Sequence, residues 1–566
     1  MLWAVLIVMA NIANIPMILN LVSYLLGTMH MGVKDASTTS TNFFGAICFF
    51  SFLGAFVSDS YIKRFYTILV FAPIEIMGYV LLAVQAYHPS LHPPPCDMLT
   101  NPSECIPVSG RNLSLLTLGL YLVPIGEGSL RSCAAALGGD QFDGDDPAEL
   151  HGKISFFNWF AFCISLGGFI GLVFLVWVEN NRGWGLSFVI AAIMLLVGTT
   201  VVSAGLPFYR NQKPMGSPLT RILQVFVAAF RKRKLSLPED LTEMHAVTDS
   251  TGTSTNSEVL ERTSGFNLLT FVRLFMYKLQ IKLRFLDKAA VNDGDRRRWS
   301  LCTVTQVEEA KIMIRMLPIF LSSILGNVPI PLLLSLTVQQ GATMDTRLGA
   351  TTMPPASLFV VPIVFQMLTL IVYDRAFVPW LRRATGLAGG VTHLQRVGVG
   401  FVFGVMALAV AALVEGRRRN SGDSTAMSVF WLTPQFFLLG VMDVTSFVGL
   451  LEFFYSEASA GMKTIGGAIV FCILGVASWL GSLLIQVVNR ATARRGGGHG
   501  WLDGANLNAS RLDLFYWLLA IFGLVSFFLY LLCAWRYTYR HDPRMQTAIV
   551  VDEVSSSAST KDQATV

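Results

Sequence analysis

Glu127 and Arg131 stand four residues apart inside an apolar run that begins near Leu113 and closes as G-E-G-S-L-R-S-C-A-A-A-L-G-G-D-Q-F-D, residues 126–143. That spacing puts them on one face of a helix. A charge at bilayer depth costs about 2.5–3.5 kcal/mol on insertion scales, so such residues face a partner or a polar cavity. Two chemistries are open. The pair neutralises itself, or Arg131 is a cavity-facing cation that binds substrate or pairs across a gate. Other intramembrane charges are Glu75 in the third apolar run and Asp443 and Glu452 in the tenth. Asp443 and Glu452 lie about 180° apart around an ideal helix, so an unbroken helix cannot turn both to one cavity. Glu452 is read as the functional one, and Asp443 is left as structural or of unknown role.

The elements that position these charges follow from composition. The chain of 566 residues is 53% hydrophobic and only 14% charged, with mean hydropathy +0.56; soluble domains carry about 25% charged residues. Apolar windows of about 19 residues fall at 1–26, 39–58, 66–87, 113–137, 155–178 and 185–207, and again at 312–340, 356–380, 396–415, 428–455, 465–489 and 513–536. The expectation is an all-α membrane protein of twelve transmembrane helices in two six-helix halves, the major facilitator architecture, with the substrate site between the halves near the midplane. The halves are bounded as 1–207 and 310–537, with a central loop at 208–309 and a tail at 538–566. The first run has no basic flank and is too long for a cleavable signal peptide.

Loop charge gives the orientation. Arg231, Lys232, Arg233, Lys234 and Arg296, Arg297, Arg298 in the central loop, Lys63 and Arg64 after the second helix, and Arg382 and Arg383 after the eighth all fall on one side. That side is read as cytoplasmic, with both termini. Arg417–Arg419 and Arg494–Arg495 fall opposite and disagree. The sequons at Asn112 and Asn508 lie in loops on the outer side, where glycosylation is permitted. So do Cys96 and Cys105, where a disulfide is permitted; the other six cysteines read as small packing residues. In the central loop, residues 218–230 have helical apolar spacing ending in a basic run and predict a lateral helix at the membrane surface. Residues 243–257 and the tail from Val551 are polar and rich in Ser, a composition that predicts disorder.

The loop G-A-F-V-S-D-S-Y-I-K-R-F, residues 54–65, resembles the major facilitator signature loop. In it Asp59, Lys63 and Arg64 would cap helix ends and hold an inner gate by ion pairs. Asp374-Arg375 through Arg382-Arg383 is a degenerate echo in the second half. Further stretches are more specific: N-L-V-S-Y-L at 20–25, T-N-F-F-G-A at 41–46, G-G-D-Q-F-D at 138–143 and F-F-N-W-F at 156–160. The second half adds F-L-D-K-A-A at 285–290, V-T-Q-V-E-E-A-K at 304–311, R-M-L-P-I at 315–319 and L-E-F-F-Y at 451–455. In order and spacing the chain resembles the plant nitrate/peptide transporter family, the plant branch of the proton-dependent oligopeptide transporters.

The resemblance implies roles. Arg131 matches a fourth-helix cation, usually Lys, and Glu452 matches a tenth-helix Glu; in the family these resemble a salt bridge between the halves that forms and breaks during alternating access. An Arg does not deprotonate and can hold a carboxylate bidentately, which fits an anionic substrate. Trp159, at the start of the fifth helix, is a candidate lining residue beside Phe156 and Phe157, which read as packing. The chain also departs from the family. The E-x-x-E-[RK] motif tied to proton coupling falls on Ile7, Ala10 and Asn11, so both carboxylates are lost. A nitrate-binding His of some members falls near Ile330, which donates no hydrogen bond. The family's polar N-terminal tail is missing, and residues 267–283 (Asn267 to Leu283) are an extra basic, amphipathic stretch. Both oddities are read as gene-model artefacts, the alternative for the second being a helix on the inner membrane face.

The resulting expectation is a secondary transporter of a small solute — organic anion, plant hormone, peptide or nitrate — with Glu452 as an alternative proton carrier or with no coupling. Plant hormones such as abscisic acid are among the family's substrates. The rival is a membrane sensor on the same fold. No His-rich metal cluster or nucleophile elbow marks an enzyme, and no cofactor, metal or nucleic acid is expected. The partners are substrate, the lipid bilayer and, where coupling survives, protons. Oligomeric state stays open, and the plasma membrane is favoured over the vacuolar membrane.

Overall fold

The computed structural model describes residues 2–31, 33–94, 107–142, 147–210, 217–233, 285–291, 299, 301–345, 347–348, 351–352, 358–387, 389–420, 427–459, 462–495, 500–502, 511–537 and 539. Cys96, Cys105, Asn508, residues 243–257 and 267–283 and the tail from Val551 lie outside them. Twelve helical spans are long and apolar enough to cross a membrane, one in each window read from the sequence.

The first half comprises α1 (Leu2–Gly27), α2 (Val33–Ser60), α3 (Arg64–Tyr87), α4 (Gly110–Gly139), α5 (Pro147–Arg182) and α6 (Trp184–Ala204). The lateral helix α7 (Pro218–Arg231) is capped by the Ser217 hydroxyl, which accepts from the Thr220 amide. In the second half the seventh span is α8 (Val304–Asn327) continued by α9 (Pro329–Ala342). Thr303 and Gln306 cap it reciprocally. The eighth span is α10 (Val360–Val372) and α11 (Val378–Thr385), joined by a π turn at Tyr373–Phe377. Then follow α12 (His393–Asn420), α13 (Thr433–Glu457), α14 (Lys463–Arg495) and α15 (Leu512–Trp535). A two-residue antiparallel ladder pairs Arg347–Leu348 with Thr351–Thr352.

Helix packing repeats between the halves. The first, second and third spans pack on the fifth and sixth, fourth, and fourth and sixth; the seventh, eighth and ninth pack on the eleventh and twelfth, tenth, and tenth and twelfth. The halves meet along two seams that this symmetry exchanges, α2 with α14 and α5 with α10. Close approach relies on small residues, since without a hydrophobic drive in lipid the backbones must touch. A Cβ at Gly128 would fall 2.5 Å from the Ile47 carbonyl and 2.6 Å from the Ser51 amide of α2, and one at Gly126 would overlap Glu75 of α3.

The lateral helix packs Val225, Ala228 and Ala229 on Leu286, Ala289 and Ala290 of the F-L-D-K-A-A stretch. Lys311 of α8 reaches Asp287 of that stretch at 2.5 Å and Glu308 at 2.7 Å. Two of the sequence motifs thus clamp each other at the end that loop charge assigns to the cytoplasm, here the inner end.

Of the arginines that disagreed with the charge rule, Arg417–Arg419 are helical and partnered. Arg418 is fully buried and bonds Glu415 at 2.6 Å, and Gln340 of α9 donates to Glu415 at 2.8 Å. Arg419 pairs with Asp513 at 2.6 Å, and Arg417 lies over the Trp431 ring. A buried pair resists loss of one partner, at about 3–5 kcal/mol, far more than joint apolar replacement. Arg418→Ala should therefore abolish the monodisperse peak of detergent-solubilised protein, while the joint E415L/R418M variant keeps it. Equal losses in both would show that packing, not charge, governs the site.

Candidate functional site

Near the midplane α1, α3 and α4 converge on one polar cluster. Asn14, Glu75 and Glu127 sit about 16–18 Å along their helices from the inner ends, half-way through an apolar core of about 30 Å. Asn14 Nδ2 donates to Glu75 Oε1 at 2.7 Å and to Glu127 Oε2 at 2.9 Å. The Tyr79 hydroxyl donates to Asn14 Oδ1 at 2.8 Å, which aims the amide N–H groups at the carboxyls. Glu127 Oε1 receives both Nε (2.8 Å) and Nη2 (2.5 Å) of Arg131. The Arg131 guanidinium lies 5.5 Å from the Phe471 ring of α14, across the interface between the halves. Glycines at 126 and 128 let α4 close on α3 and α2, which brings these charges together.

The inner end of the α2–α14 seam is a second cluster. Asp59 Oδ1 accepts from the Thr464 hydroxyl at 2.6 Å and Oδ2 from the Ile465 amide at 3.0 Å. A carboxylate from one half thus caps the first turn of a helix of the other, where the macrodipole favours negative charge. Arg64 bonds Thr464 at 2.6 Å, Asp59 at 3.2 Å, and Asp140 of α4. Tyr455 donates to Asp140 at 2.9 Å, and Lys463 stands 3.9 Å from it. Lys63, expected in this gate, is the residue before α3 and makes no side-chain cap; among the described residues the gate pairs are made by Asp59 and Arg64.

The α5–α10 seam closes in the same way. Asp374, in the π turn, accepts from Ser155 at 2.8 Å and Asn158 at 2.9 Å. Arg396 of α12 bonds Asn158 at 2.7 Å, the Val444 carbonyl at 3.1 Å and Glu452 at 3.2 Å, and lies 4.2 Å from the Tyr373 ring. His393 Nδ1 also meets Glu452 at 3.2 Å.

These positions bear on several expectations. Arg131 and Glu452 do not pair in this structure: each finds its partner inside its own half, because Arg131 turns back to Glu127 and Glu452 turns to α12. Trp159, the candidate lining residue, is half-buried. It lies under Arg375 at 5.7 Å and against Phe162 at 5.4 Å, on the inner part of the second seam. Asp374 and Arg375 belong to a helical span rather than a loop. Asn112 falls in the first turn of α4, donating to the Ser90 carbonyl at 3.1 Å, rather than in a loop. Asp443 faces Gln366 of α10 and Glu452 faces α12, on opposite sides of α13. Ile330 packs among Leu333, Phe401 and Met442 inside the second half.

The sequence left Asn14, Asn158, Arg396, His393, Asp140, Tyr455 and Thr464 without roles. Three of them were inside quoted motifs: Asp140 in G-G-D-Q-F-D, Asn158 in F-F-N-W-F and Tyr455 in L-E-F-F-Y. A polar residue held in an otherwise apolar motif was the available signal. Asn14 and Thr464 carried none.

Comparison with known proteins agrees with this geometry. The POT family (PTR2) matches residues 65–502. Protein NRT1/PTR FAMILY 8.5 of Arabidopsis thaliana is 38% identical over 527 residues, covering 92% of this chain and 86% of that protein. Protein NRT1/PTR FAMILY 4.3 of the same plant is 36% identical over 541 residues, covering 94% and 88%. Among solved structures, an auto-inhibited POT family peptide transporter superposes with TM-score 0.60 at 19% identity, covering 95% of this chain and 96% of that one. The POT family transporter PepTSo gives 0.61 at 17%, covering 95% and 97%. The structural likenesses show the fold, twelve helices in the major facilitator arrangement.

Proposed function

This chain belongs to the POT family, a multi-pass membrane transporter of small solutes and not an enzyme, and we propose that its cargo is a small organic anion held by Arg131. The observation that carries the reading is the position of Arg131. Its guanidinium lies at the interface between the halves, about 12 Å along α4 from Gly139, with Glu127 as its hydrogen-bond partner and Phe471 of the other half beside it. A substrate carboxylate that displaces Glu127 would keep the cation paired and would find a fork matched to its own two oxygens.

Alternating access is the mechanism that the seams support. Both inner ends are shut by hydrogen bonds between halves, at Asp59–Thr464 and at Asn158–Arg396. Polar contacts of this kind can be exchanged for water when the seam opens, so the two arrangements differ by a small free energy. Glu452 acts here as the anchor of Arg396 in the inner gate. No feature of the structure favours the sensor alternative.

The test is uptake into proteoliposomes of nitrate, a dipeptide and a carboxylate hormone such as abscisic acid, with protein-free liposomes subtracted to remove passive entry of the weak acid. Saturable uptake of the carboxylate alone is expected. Uptake of nitrate or dipeptide alone would overturn the organic-anion reading, and no uptake of any of them would tell against the transport reading for these solutes.

A further inference from the structure

We propose that Glu75 and Glu127 together hold the coupling proton, in place of the first-helix carboxylates that this chain lacks. The inference rests on the transport reading above. Ile7 and Ala10 precede Asn14 by seven and four residues on α1, so all three share one helix face. The two carboxyls that reach Asn14 from α3 and α4 therefore approach the face from which the motif carboxylates are missing.

Charge counting makes the pair a proton site rather than a structural cluster. Arg131 is the cation of the group, and two carboxyls lie within reach of it through Glu127 and Asn14. Glu75 is fully buried, and its Oε2 has no hydrogen-bond partner. An ionised carboxylate does not survive there without a counter-charge or full hydrogen bonding. Among the described residues the other titratable groups nearby bring no second cation. Tyr79 on α3 holds Asn14. Cys48 on α2 lies near Arg131 and near Cys472 of α14. Glu179 on α5 is satisfied by Asn20 at 2.7 Å and by Ser187 of α6 at 3.2 Å.

At rest the pair shares one proton: Glu75 is a neutral acid, Glu127 is ionised, and Arg131 balances it. A second proton neutralises Glu127 and releases Arg131, and the anionic substrate takes its place as counter-ion. Both states have zero net charge. One proton therefore travels with each monovalent anion, and the step is electroneutral.

The full chain in proteoliposomes tests this by infrared difference spectroscopy of the carboxylic-acid carbonyl band at neutral pH. Differences between variants cancel the background from the other buried carboxyls, Glu179 and Asp443. Glu75→Gln should remove one acid equivalent from the wild-type band. Arg131→Gln, with no cation left in the cluster, should add one, leaving the cluster with about twice its wild-type acid content. A band unchanged in either variant overturns the proposal, and the second variant keeps the test open should the first fail to fold. With the carboxylate probe, wild-type accumulation should follow an imposed pH gradient and ignore a potassium–valinomycin potential. The joint E75Q/E127Q variant should lose at least tenfold of that accumulation and keep exchange of labelled for unlabelled probe; gradient-driven accumulation retained by it overturns the proposal. A wild-type protein that shows the band changes but moves no probe would strike the transport reading and leave the shared proton standing.

Discussion

Arg64→Gln should open the inner end of the α2–α14 seam. Arg64 is the guanidinium that holds Asp59 and Asp140 together, with a side chain only 9% exposed. Without it two carboxylates remain in the closed seam, Asp59 on Thr464 and Ile465, Asp140 on Tyr455 and, at longer range, Lys463. Removing one partner of a buried pair costs about 3–5 kcal/mol, and water relieves that cost once the seam opens. The closed state is penalised and the open state is not. At 1.4 kcal/mol per tenfold, the equilibrium moves by about 10²–10³ towards the open state. The reporter is Ser60→Cys, at the last residue of α2 and buried, in a background without the native cysteines. Its modification by a maleimide in permeabilised membranes should speed up at least tenfold in the Arg64→Gln chain, and uptake should fall with it as one state comes to dominate. Arg210→Gln is the control: its ion pair with Glu149 is 2.8 Å long but its side chain is 58% exposed, and exposed pairs contribute about 0–1 kcal/mol. Unchanged labelling in Arg64→Gln would mean that Asp59, Arg64 and Asp140 cap helices without gating.

The same contrast between burial and exposure explains how much of this molecule was legible in its sequence. The spans were legible because bilayer burial writes a long, nearly charge-free run for each helix. Charges inside such runs were legible as candidates for function, and Glu127 with Arg131 was readable as a pair because helical spacing alone brings them together. Contacts between distant helices were not. Asn14 looks like an ordinary polar interruption of α1, and only the packing of α1, α3 and α4 shows it bridging two carboxyls. Glu452 was legible as a charge but not in its contacts. Its family match predicted a partner across the halves, but Arg396 and His393, which lie about sixty residues away on a neighbouring helix of the same half, compete for it and hold it. The charge rule failed at Arg417–Arg419 for a related reason. It counts solvated cations, and Arg418 is not solvated.

Arg131 is where these readings meet, and replacing it should have the largest effect on transport itself. Arg131→Gln removes the guanidinium that both Glu127 and the proposed substrate carboxylate use. Charge-assisted, bidentate pairs are the strong ones, and loss of a buried partner costs about 3–5 kcal/mol, so carboxylate uptake should fall by about 10²–10³ while expression and detergent behaviour hold, since the neutralised Glu75 and Glu127 leave no stranded charge. Arg131→Lys separates charge from geometry. An ammonium keeps the positive charge but offers a point in place of a planar fork. If the fork grips substrate, KM should rise about tenfold or more with little change in maximal rate at saturating substrate. If Arg131 only balances Glu127, Lys should serve as well as Arg and KM should stay put. A maximal rate that collapses with KM unchanged would place Arg131 in the conformational step instead, as a cation that must leave Glu127 for the halves to rock but never touches the cargo.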